Sequence, residues 1–178
     1  MVKRIGSLGK NSHSPSDIFF LDTNVILYLH HPQYVFGGSD KTRVYSNFIA
    51  RLRRLGCSLR ISSFHAQEAF HVTETLAYEN YKKSVLNPER SIRRKEFRKQ
   101  YRKQVGVTQS SLWNQLKSNY AIETSIIDEG MLETFIRDYG LYSYEPIDYL
   151  FTKNHPKCGI ITSDADFESD SAIAVYTY

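Results

Sequence analysis

The amino-acid sequence predicts an α/β protein with a central parallel sheet and helices on both of its faces. Short apolar runs that suit buried strands alternate along the chain with longer segments whose apolar residues recur at helical spacing. Strands that alternate with helices favour a parallel sheet. The chain has 178 residues, of which 41% are hydrophobic and 24% are charged, and this composition suits one globular domain with a sizeable core.

The first half of the chain begins this alternation. Residues 1–17 are polar, lack the apolar core of a signal peptide and are predicted to form a disordered tail. The all-apolar run 18–21 predicts the first buried strand. A helix is expected over residues 25–30. Apolar residues recur at helical spacing between residues 44 and 55, and Gly56 is expected to end that second helix.

The elements continue to the end of the chain and predict one domain of residues 18–178. Residues 82–119 fall outside the regular alternation and are predicted to form a basic, mostly helical insertion in that domain. The other expected elements, in order, are a strand at residues 59–61, a helix over 64–81 capped by Ser62 or Ser63, an extended segment within 121–127, helices over 129–139 and 145–154, and strands at 159–162 and 173–175.

Positive charge is concentrated in residues 82–103, which hold ten basic and two acidic side chains. That segment carries a formal charge of +8 and leaves −4 for the rest of the chain, so the sequence indicates a polyanionic partner. Arg94, Arg98 and Arg102 are spaced so that a helix would align them along one face. A solvated helix face without a ligand would show the same spacing.

Phosphate contact is the interpretation we favour for this basic segment. Lys and Arg side chains on a nucleic-acid backbone release counterions and position the strand without reading its sequence. Phe97 and Tyr101 lie on a neighbouring helical stripe and are expected to anchor the helix to the domain. The expected nucleic-acid contacts are Arg90, Arg93, Arg94, Lys95, Arg98, Lys99, Arg102 and Lys103.

Five acidic residues occupy positions where an α/β sheet commonly binds its ligands. Asp22 directly follows the first predicted strand, and Asp164 and Asp166 follow the strand at 159–162. Glu68 and Asp148 lie in the first turns of predicted helices, where the positive end of the helix dipole favours an ionised carboxylate. Because ligands of open parallel sheets bind beyond the carboxyl ends of the strands, we expect these side chains to converge.

Converging carboxylates favour a divalent cation between them. Without one they would repel each other and their pKa values would rise. Carboxylate oxygens are ligands that Mg²⁺ and Mn²⁺ prefer. Each residue alone also has a simpler role, since an Asp after a strand is often a turn residue and an acid in a first turn often serves the helix dipole. The prediction therefore depends on the whole set of positions.

The chain resembles the PIN-domain family of metal-dependent ribonucleases, which includes the VapC-type toxins of bacterial toxin–antitoxin pairs. The apolar strand followed by Asp22-Thr23-Asn24-Val25 is similar to the opening motif of that family. Residues 162–167, with the sequence Thr-Ser-Asp-Ala-Asp-Phe, resemble its closing Thr-x-Asp-x-Asp-Phe motif. The middle acids of the family are matched by Glu68 and by Asp148 in Asp148-Tyr149-Leu150.

The resemblance implies a PIN-like three-layer α/β/α sandwich that hydrolyses RNA phosphodiester bonds with Mg²⁺ or Mn²⁺ as the cofactor. RNA is the implied substrate, and a protein inhibitor (an antitoxin) and a second copy of the chain are implied as further partners. The implied site consists of the catalytic carboxylates and metal ligands Asp22, Glu68, Asp148 and Asp164, the additional metal ligand Asp166, and the supporting residues Asn24 and Thr162.

The main alternative is a non-catalytic RNA-binding or scaffold protein on the same fold. Such a protein would keep the basic segment and lose metal ligands, whereas this chain has an acid at every expected position. The long basic insertion departs from the compact toxins of the family and leaves the RNA target open. No apolar run approaches the ~20 residues of a membrane span, so the expected location is the cytoplasm.

Other chemistries fit the sequence less well. A haloacid-dehalogenase-type phosphatase would have a second acid at the position of Asn24. His65 and His71 are six residues apart, which places them on different helix faces and excludes an H-E-x-x-H zinc site. Cys57 and Cys158 form no C-x-x-C pair and are predicted to be free thiols.

Overall fold

The centre of the protein is a six-stranded sheet in which every neighbouring pair of strands is parallel. The computed structural model describes residues 2–5, 13–85, 91–124, 158–164 and 174–178. The strands are β1 (Val2–Arg4), β2 (Ile18–Leu21), β3 (Ser58–Ser62), β4 (Ala121–Glu123), β5 (Cys158–Ile161) and β6 (Ala174–Thr177). The sheet order is β1-β6-β5-β2-β3-β4. The predicted α/β fold with a central parallel sheet is therefore confirmed, and it is consistent with a PIN-like fold.

Five helices connect the strands in the described part of the chain. Three of them lie between β2 and β3, and the two longest lie between β3 and β4. Ser62 caps one of the long helices, because its Oγ accepts a hydrogen bond of 3.0 Å from the backbone N–H of His65. The helices are α1 (Thr23–His30), α2 (Pro32–Val35), α3 (Asp40–Arg54), α4 (Ser63–Ser84) and α5 (Arg94–Asn119).

Both faces of the sheet are buried. Phe19 and Leu21 of β2 belong to the same core cluster as apolar side chains of α1, α3, α4 and α5. Phe20 alternates with them and therefore points to the opposite face, where it is in register with Ile160 and Val175. All three of these side chains have an exposed fraction of 0%. A sheet buried on both faces explains why its strands appear in the sequence as continuous apolar runs.

The order of the strands reverses between β2 and β5. From β2 the chain continues to β3 and β4 on one side, and β5 and β6 lie on the other side of β2. In open α/β sheets the crevice at such a switch point, beyond the carboxyl ends of the strands, is where ligands bind. The carboxyl ends of β2 and β5 are Leu21 and Ile161, which are paired in register.

The prediction that residues 1–17 form a disordered tail is wrong at residues 2–5. Strand β1 extends the sheet by pairing with β6, in the register Val2↔Val175. The guanidinium of Arg4 donates a hydrogen bond of 2.6 Å to the backbone carbonyl of Tyr178. A strand of three residues has too few positions to show an alternating pattern, and its partner is distant in the sequence, so the local pattern did not reveal it.

The described part of the basic insertion is mostly helical. Residues 94–119 form one continuous helix, α5, which packs against α4. His30 at the end of α1 ties α1 to the far end of α5: its Nε2 lies 2.7 Å from the hydroxyl of Tyr120, and its Nδ1 lies 3.1 Å from Oε1 of Gln115. The helices expected over 129–139 and 145–154 lie outside the described residues.

Two further expectations are tested by the described residues. Cys57 and Cys158 are free thiols, as predicted. No helix in the described ranges is both long enough and apolar enough to cross a membrane.

Candidate active site at the carboxyl edge of the sheet

Asp22 lies at the switch point, directly after β2. Its backbone N–H donates a hydrogen bond of 3.0 Å to the carbonyl of Ile161, so the ends of β2 and β5 are tied together there. Asp22 is also the N-cap residue of α1, yet its side chain accepts no capping hydrogen bond from that helix. The carboxylate has an exposed fraction of 8%. Helix capping therefore does not explain an aspartate at this position.

Thr162 holds the Asp22 carboxylate from the neighbouring strand. Its Oγ1 donates a hydrogen bond of 2.7 Å to Oδ2 of Asp22 and accepts one of 2.9 Å from the backbone N–H of Asp164. The same oxygen of Asp22 lies 3.4 Å from Nδ2 of Asn24, a longer contact. Thr162 is fully buried. Asn24 and Thr162, the two expected supporting residues, therefore both contact the carboxylate of Asp22.

Tyr45 and Tyr176 hold the backbone of Thr162 in place by hydrogen bonds. The hydroxyl of Tyr45 on α3 donates a hydrogen bond of 2.7 Å to the carbonyl of Thr162, and the N–H of Thr162 donates one of 3.0 Å to the carbonyl of Tyr176. Burial raises the pKa of Tyr45, so this hydroxyl keeps its proton. No pattern in the sequence indicated this contact, because Tyr45 lies on the apolar face of α3 like a core residue.

Glu68 joins the same edge through Thr23. The Oγ1 of Thr23 donates a hydrogen bond of 2.5 Å to Oε2 of Glu68, and Thr23 has an exposed fraction of only 3%. Glu68 lies in the second turn of α4, which begins at the carboxyl end of β3. Because Thr23 follows Asp22 directly, its hydrogen bond to Glu68 connects the Asp22 region with the acid on α4. Thr23 was not among the predicted site residues, although a hydroxyl next to Asp22 was visible in the sequence.

The structure brings together part of the predicted site. Asp22, Asn24 and Thr162 are in direct contact, Asp164 is bonded to Thr162 through its backbone, and Glu68 is bonded to the neighbour of Asp22. Two predicted ligands, Asp148 and Asp166, lie outside the described residues.

The donor chemistry suits a hard cation, since the described acids offer carboxylate oxygens. However, no three acidic, His or Cys side chains within the described ranges form a group that is close enough to hold a metal ion. The described residues therefore supply part of a ligand set whose remaining predicted members, Asp148 and Asp166, lie outside them.

Most cations of the basic segment lie on α5, and Glu74 of α4 engages two of them. The Nε atoms of Arg94 and Arg98 lie 3.1 Å and 2.8 Å from the same oxygen of Glu74. Phe97 anchors the helix to α4 as expected, because it is 2% exposed and its ring lies 5.2 Å from that of Tyr78 and 5.4 Å from that of Tyr81. Of the other cations predicted to contact nucleic acid, Arg90 lies outside the described residues. The remaining five are exposed: Arg93, Lys95, Lys99, Arg102 and Lys103.

Comparison with known proteins adds one structural likeness. No protein-family model matches the chain, and no curated protein matches its sequence. The fold is similar to that in the crystal structure of VapBC2 from Rickettsia felis bound to a DNA fragment from their promoter. The similarity has a TM-score of 0.48 at 17% sequence identity, and it covers 89% of this chain and 96% of that chain.

Proposed function

We propose that this chain is a PIN-type endoribonuclease that hydrolyses RNA phosphodiester bonds with Mg²⁺ or Mn²⁺. One observation carries the proposal: Asp22 is bonded to Thr162 across the switch point of the sheet, with Asp164 bonded to the same hydroxyl. A buried carboxylate that does not cap its helix is costly to keep, and a catalytic role accounts for it.

The proposed ligand set is Asp22, Glu68, Asp148, Asp164 and Asp166. A bound divalent ion supplies an activated water and neutralises the charge that develops on the phosphate. The residues of the chain provide orientation. Thr162 and Asn24 direct an oxygen of Asp22, and Thr23 fixes the carboxylate of Glu68. No side-chain nucleophile is needed for this chemistry.

The basic segment supports RNA as the substrate. Its formal charge of +8 lies mainly on α5, and α5 packs against the helix that carries Glu68. A polyanion attracted to that segment is therefore held beside the acidic edge. The proposal includes a protein inhibitor, because an unregulated ribonuclease would harm its host, and it includes a homodimer and a toxin role.

The test is RNA cleavage by the purified protein, with Mg²⁺ or Mn²⁺ against EDTA. Asp22→Asn removes the charge with little change of shape and is expected to abolish cleavage. Asp17→Asn is the matched control, because Asp17 precedes the same strand at the opposite edge of the sheet and accepts hydrogen bonds from Ser14. Metal-dependent cleavage that survives in the control and is lost in the variant supports the proposal.

A second pair of variants tests the acid on α4. Glu68→Gln is expected to lose cleavage, whereas Glu79→Gln is expected to keep it. Glu79 lies on the same helix about 16 Å further along its axis and pairs with Lys82. Cleavage that is unchanged in Asp22→Asn and Glu68→Gln would contradict the proposal. RNA binding without cleavage by the wild-type protein would favour the non-catalytic alternative, and cleavage of single-stranded DNA in preference to RNA would overturn the proposed substrate.

A further inference from the structure

A charged cavity of about 480 Å³ lies between α4 and α5, away from the contacts that surround Asp22. Three cations and one carboxylate contribute to its lining, so the charged groups leave an excess of positive charge. The excess of cationic donors in its lining suits an anionic group. The lining residues are Glu74, Arg98, Lys99, Arg102, Val105 and Gln109.

Glu74 organises the cationic side of this cavity. One of its oxygens accepts hydrogen bonds from the Nε atoms of both Arg94 and Arg98, and Arg94 is fixed further by a 2.6 Å bond from Nη2 to Oγ1 of Thr75. Burial alone would raise the pKa of Glu74, but the hydrogen bonds and charges of Arg98 and Arg94 outweigh it and hold that pKa below its usual value. Glu74 therefore stays ionised near neutral pH.

Arg98 has N–H donors that Glu74 does not engage. Only its Nε is engaged by Glu74, and among the residues that the structure describes its two terminal nitrogens have no hydrogen-bond partner. Its side chain is 52% exposed, against 16% for Glu74. A guanidinium held at one nitrogen and open at the others is already oriented for a phosphate, which it recognises through several N–H groups.

Gln109 closes the other end of the cavity. Its Nε2 donates a hydrogen bond of 2.9 Å to the carbonyl of Phe70 on α4, so α4 and α5 are linked on both sides of the exposed cations. The walls therefore belong to two helices that pack against each other, and the cavity is held by contacts at both ends. An isolated row of exposed lysines would lack such support.

We propose that this cavity binds a backbone phosphate of the RNA strand within a few nucleotides of the bond that is cut. The inference rests on the proposed function, which places the cut beside Glu68. Glu74 lies six residues after Glu68 on α4, or about 9 Å along the helix axis. Glu74 is a positioning residue, and Arg98, Lys99 and Arg102 make the contacts.

The test measures RNA affinity without cleavage. The Asp22→Asn protein is titrated in EDTA against a short unstructured RNA with a fluorescent label, and anisotropy is recorded over a series of salt concentrations. Arg98→Ala and Arg102→Ala are each expected to weaken binding about tenfold and to flatten the salt dependence by about 0.7 in slope. Lys117→Ala is the control, because it removes one charge from the same helix outside the cavity, where Lys117 lies over Trp113.

Glu74→Ala separates an ordered cavity from simple attraction. The variant makes the protein more positive, so attraction between net charges alone predicts tighter RNA binding. The proposal predicts weaker binding, because Arg94 and Arg98 lose the carboxylate that orients them. Glu79→Ala removes a carboxylate from the same helix without affecting this pair and is expected not to weaken binding. Thermal unfolding of each variant verifies that it is folded. If Glu74→Ala fails to fold, Arg98→Ala still tests the cavity, because the side chain of Arg98 is half exposed.

The outcomes are distinct. Binding that weakens in Arg98→Ala and Glu74→Ala, and much less in Lys117→Ala, supports the proposal. Equal effects of Arg98→Ala and Lys117→Ala, or tighter binding by Glu74→Ala, would overturn it, and unchanged RNA binding in all variants would point to an acidic protein partner instead. Because the assay contains no metal and uses Asp22→Asn, failure of the cleavage proposal would appear only in the cleavage assay.

Discussion

The hydroxyl of Thr162 contacts two acidic residues at once: it donates to the carboxylate of Asp22 at 2.7 Å and accepts from the backbone N–H of Asp164 at 2.9 Å. One oxygen therefore sets the position of both residues relative to the end of β5. Since Tyr45 and Tyr176 fix the backbone of Thr162, the support extends into the core of the protein. Small changes at Thr162 are expected to affect stability and catalysis together.

Thr162→Val keeps the shape of the side chain and removes that hydroxyl. We expect the free energy of unfolding to fall by about 1–3 kcal/mol, because buried polar groups lose a partner, and the rate of RNA cleavage to fall with it. Urea denaturation and initial rates measure the two effects. Thr73→Val is the control, since Thr73 is also buried and, among the described residues, its hydroxyl bonds only the carbonyl of Ala69 in its own helix. Similar effects of both variants on cleavage would contradict the assigned role.

Thr23→Val removes the hydrogen bond that fixes Glu68. If Glu68 binds the cation, we expect the affinity for Mn²⁺ to fall at least about tenfold, as is common when the partner of a metal ligand is removed. Titration calorimetry on the folded protein measures the change. In a Glu68→Gln background the same substitution should have little further effect, because Thr23 acts through Glu68. Independent, additive losses would show that Thr23 has another role.

The contact between α1 and α5 depends on a neutral His30. Burial lowers the pKa of His30; the hydrogen bond that its Nδ1 donates to Gln115 opposes this shift, and the charge of Arg53 adds to it. Burial also raises the pKa of Tyr120 to about 12, so its phenol remains a donor to His30. In the unfolded chain His30 takes up a proton near its ordinary pKa of about 6.5, whereas in the folded protein it does so only at lower pH.

Stability is therefore expected to fall as the pH drops below about 6.5, because the unfolded state binds the additional proton first. His30→Phe keeps a ring against Tyr120. The variant should be less stable than the wild-type protein at pH 8, but it should lose less stability than the wild-type protein between pH 7 and pH 5. His13 and His31, whose pKa values are also lowered by burial, contribute equally to both proteins. The melting temperature as a function of pH tests this, and parallel curves for both proteins would refute it.

Gly159 is required where β5 passes Tyr176. A Cβ atom built at Gly159 would lie 2.5 Å from Cε2 of the Tyr176 ring, which is itself buried. We expect Gly159→Ala to destabilise the protein by about 1–3 kcal/mol through overpacking. Gly106→Ala is the opposite case, because in the described part of the chain no atom beyond the neighbouring backbone of α5 itself lies within 4 Å of its Cβ position. That variant should gain up to about 1 kcal/mol, and denaturant unfolding of both variants compares them.

Local sequence patterns predicted the elements that carry the site. Residues 18–21 form a strand, β2, as the apolar run indicated, and Ser62 caps α4, the helix that bears Glu68. These features depend on neighbours within a few positions, which is why the sequence reveals them. The positions of Asp22 and Asp164 beyond the ends of neighbouring strands followed from the same reasoning, because parallel strands present their carboxyl ends at one edge.

Contacts between distant residues were not predictable in the same way. The bond between Thr23 and Glu68 depends on how α4 is rotated against α1, and no local pattern encodes that rotation. The pairing of Arg94 and Arg98 with Glu74 depends on the packing of α5 on α4, although the spacing of the arginines was visible. Strand β1 was missed for a related reason, since the register with β6 alone defines it.

The bond between Thr162 and Asp22 joins residues 140 positions apart. Contacts of such high sequence separation form late, because the entropy of closing the intervening loop must be overcome before they add any stability. A chain still emerging from the ribosome through the end of α5 contains Asp22 and Glu68 but not yet β5, Thr162 and Asp164. Under the proposed function, nuclease activity appears only after β5 and the residues that follow it have been synthesised, so translation itself delays the onset of a harmful activity.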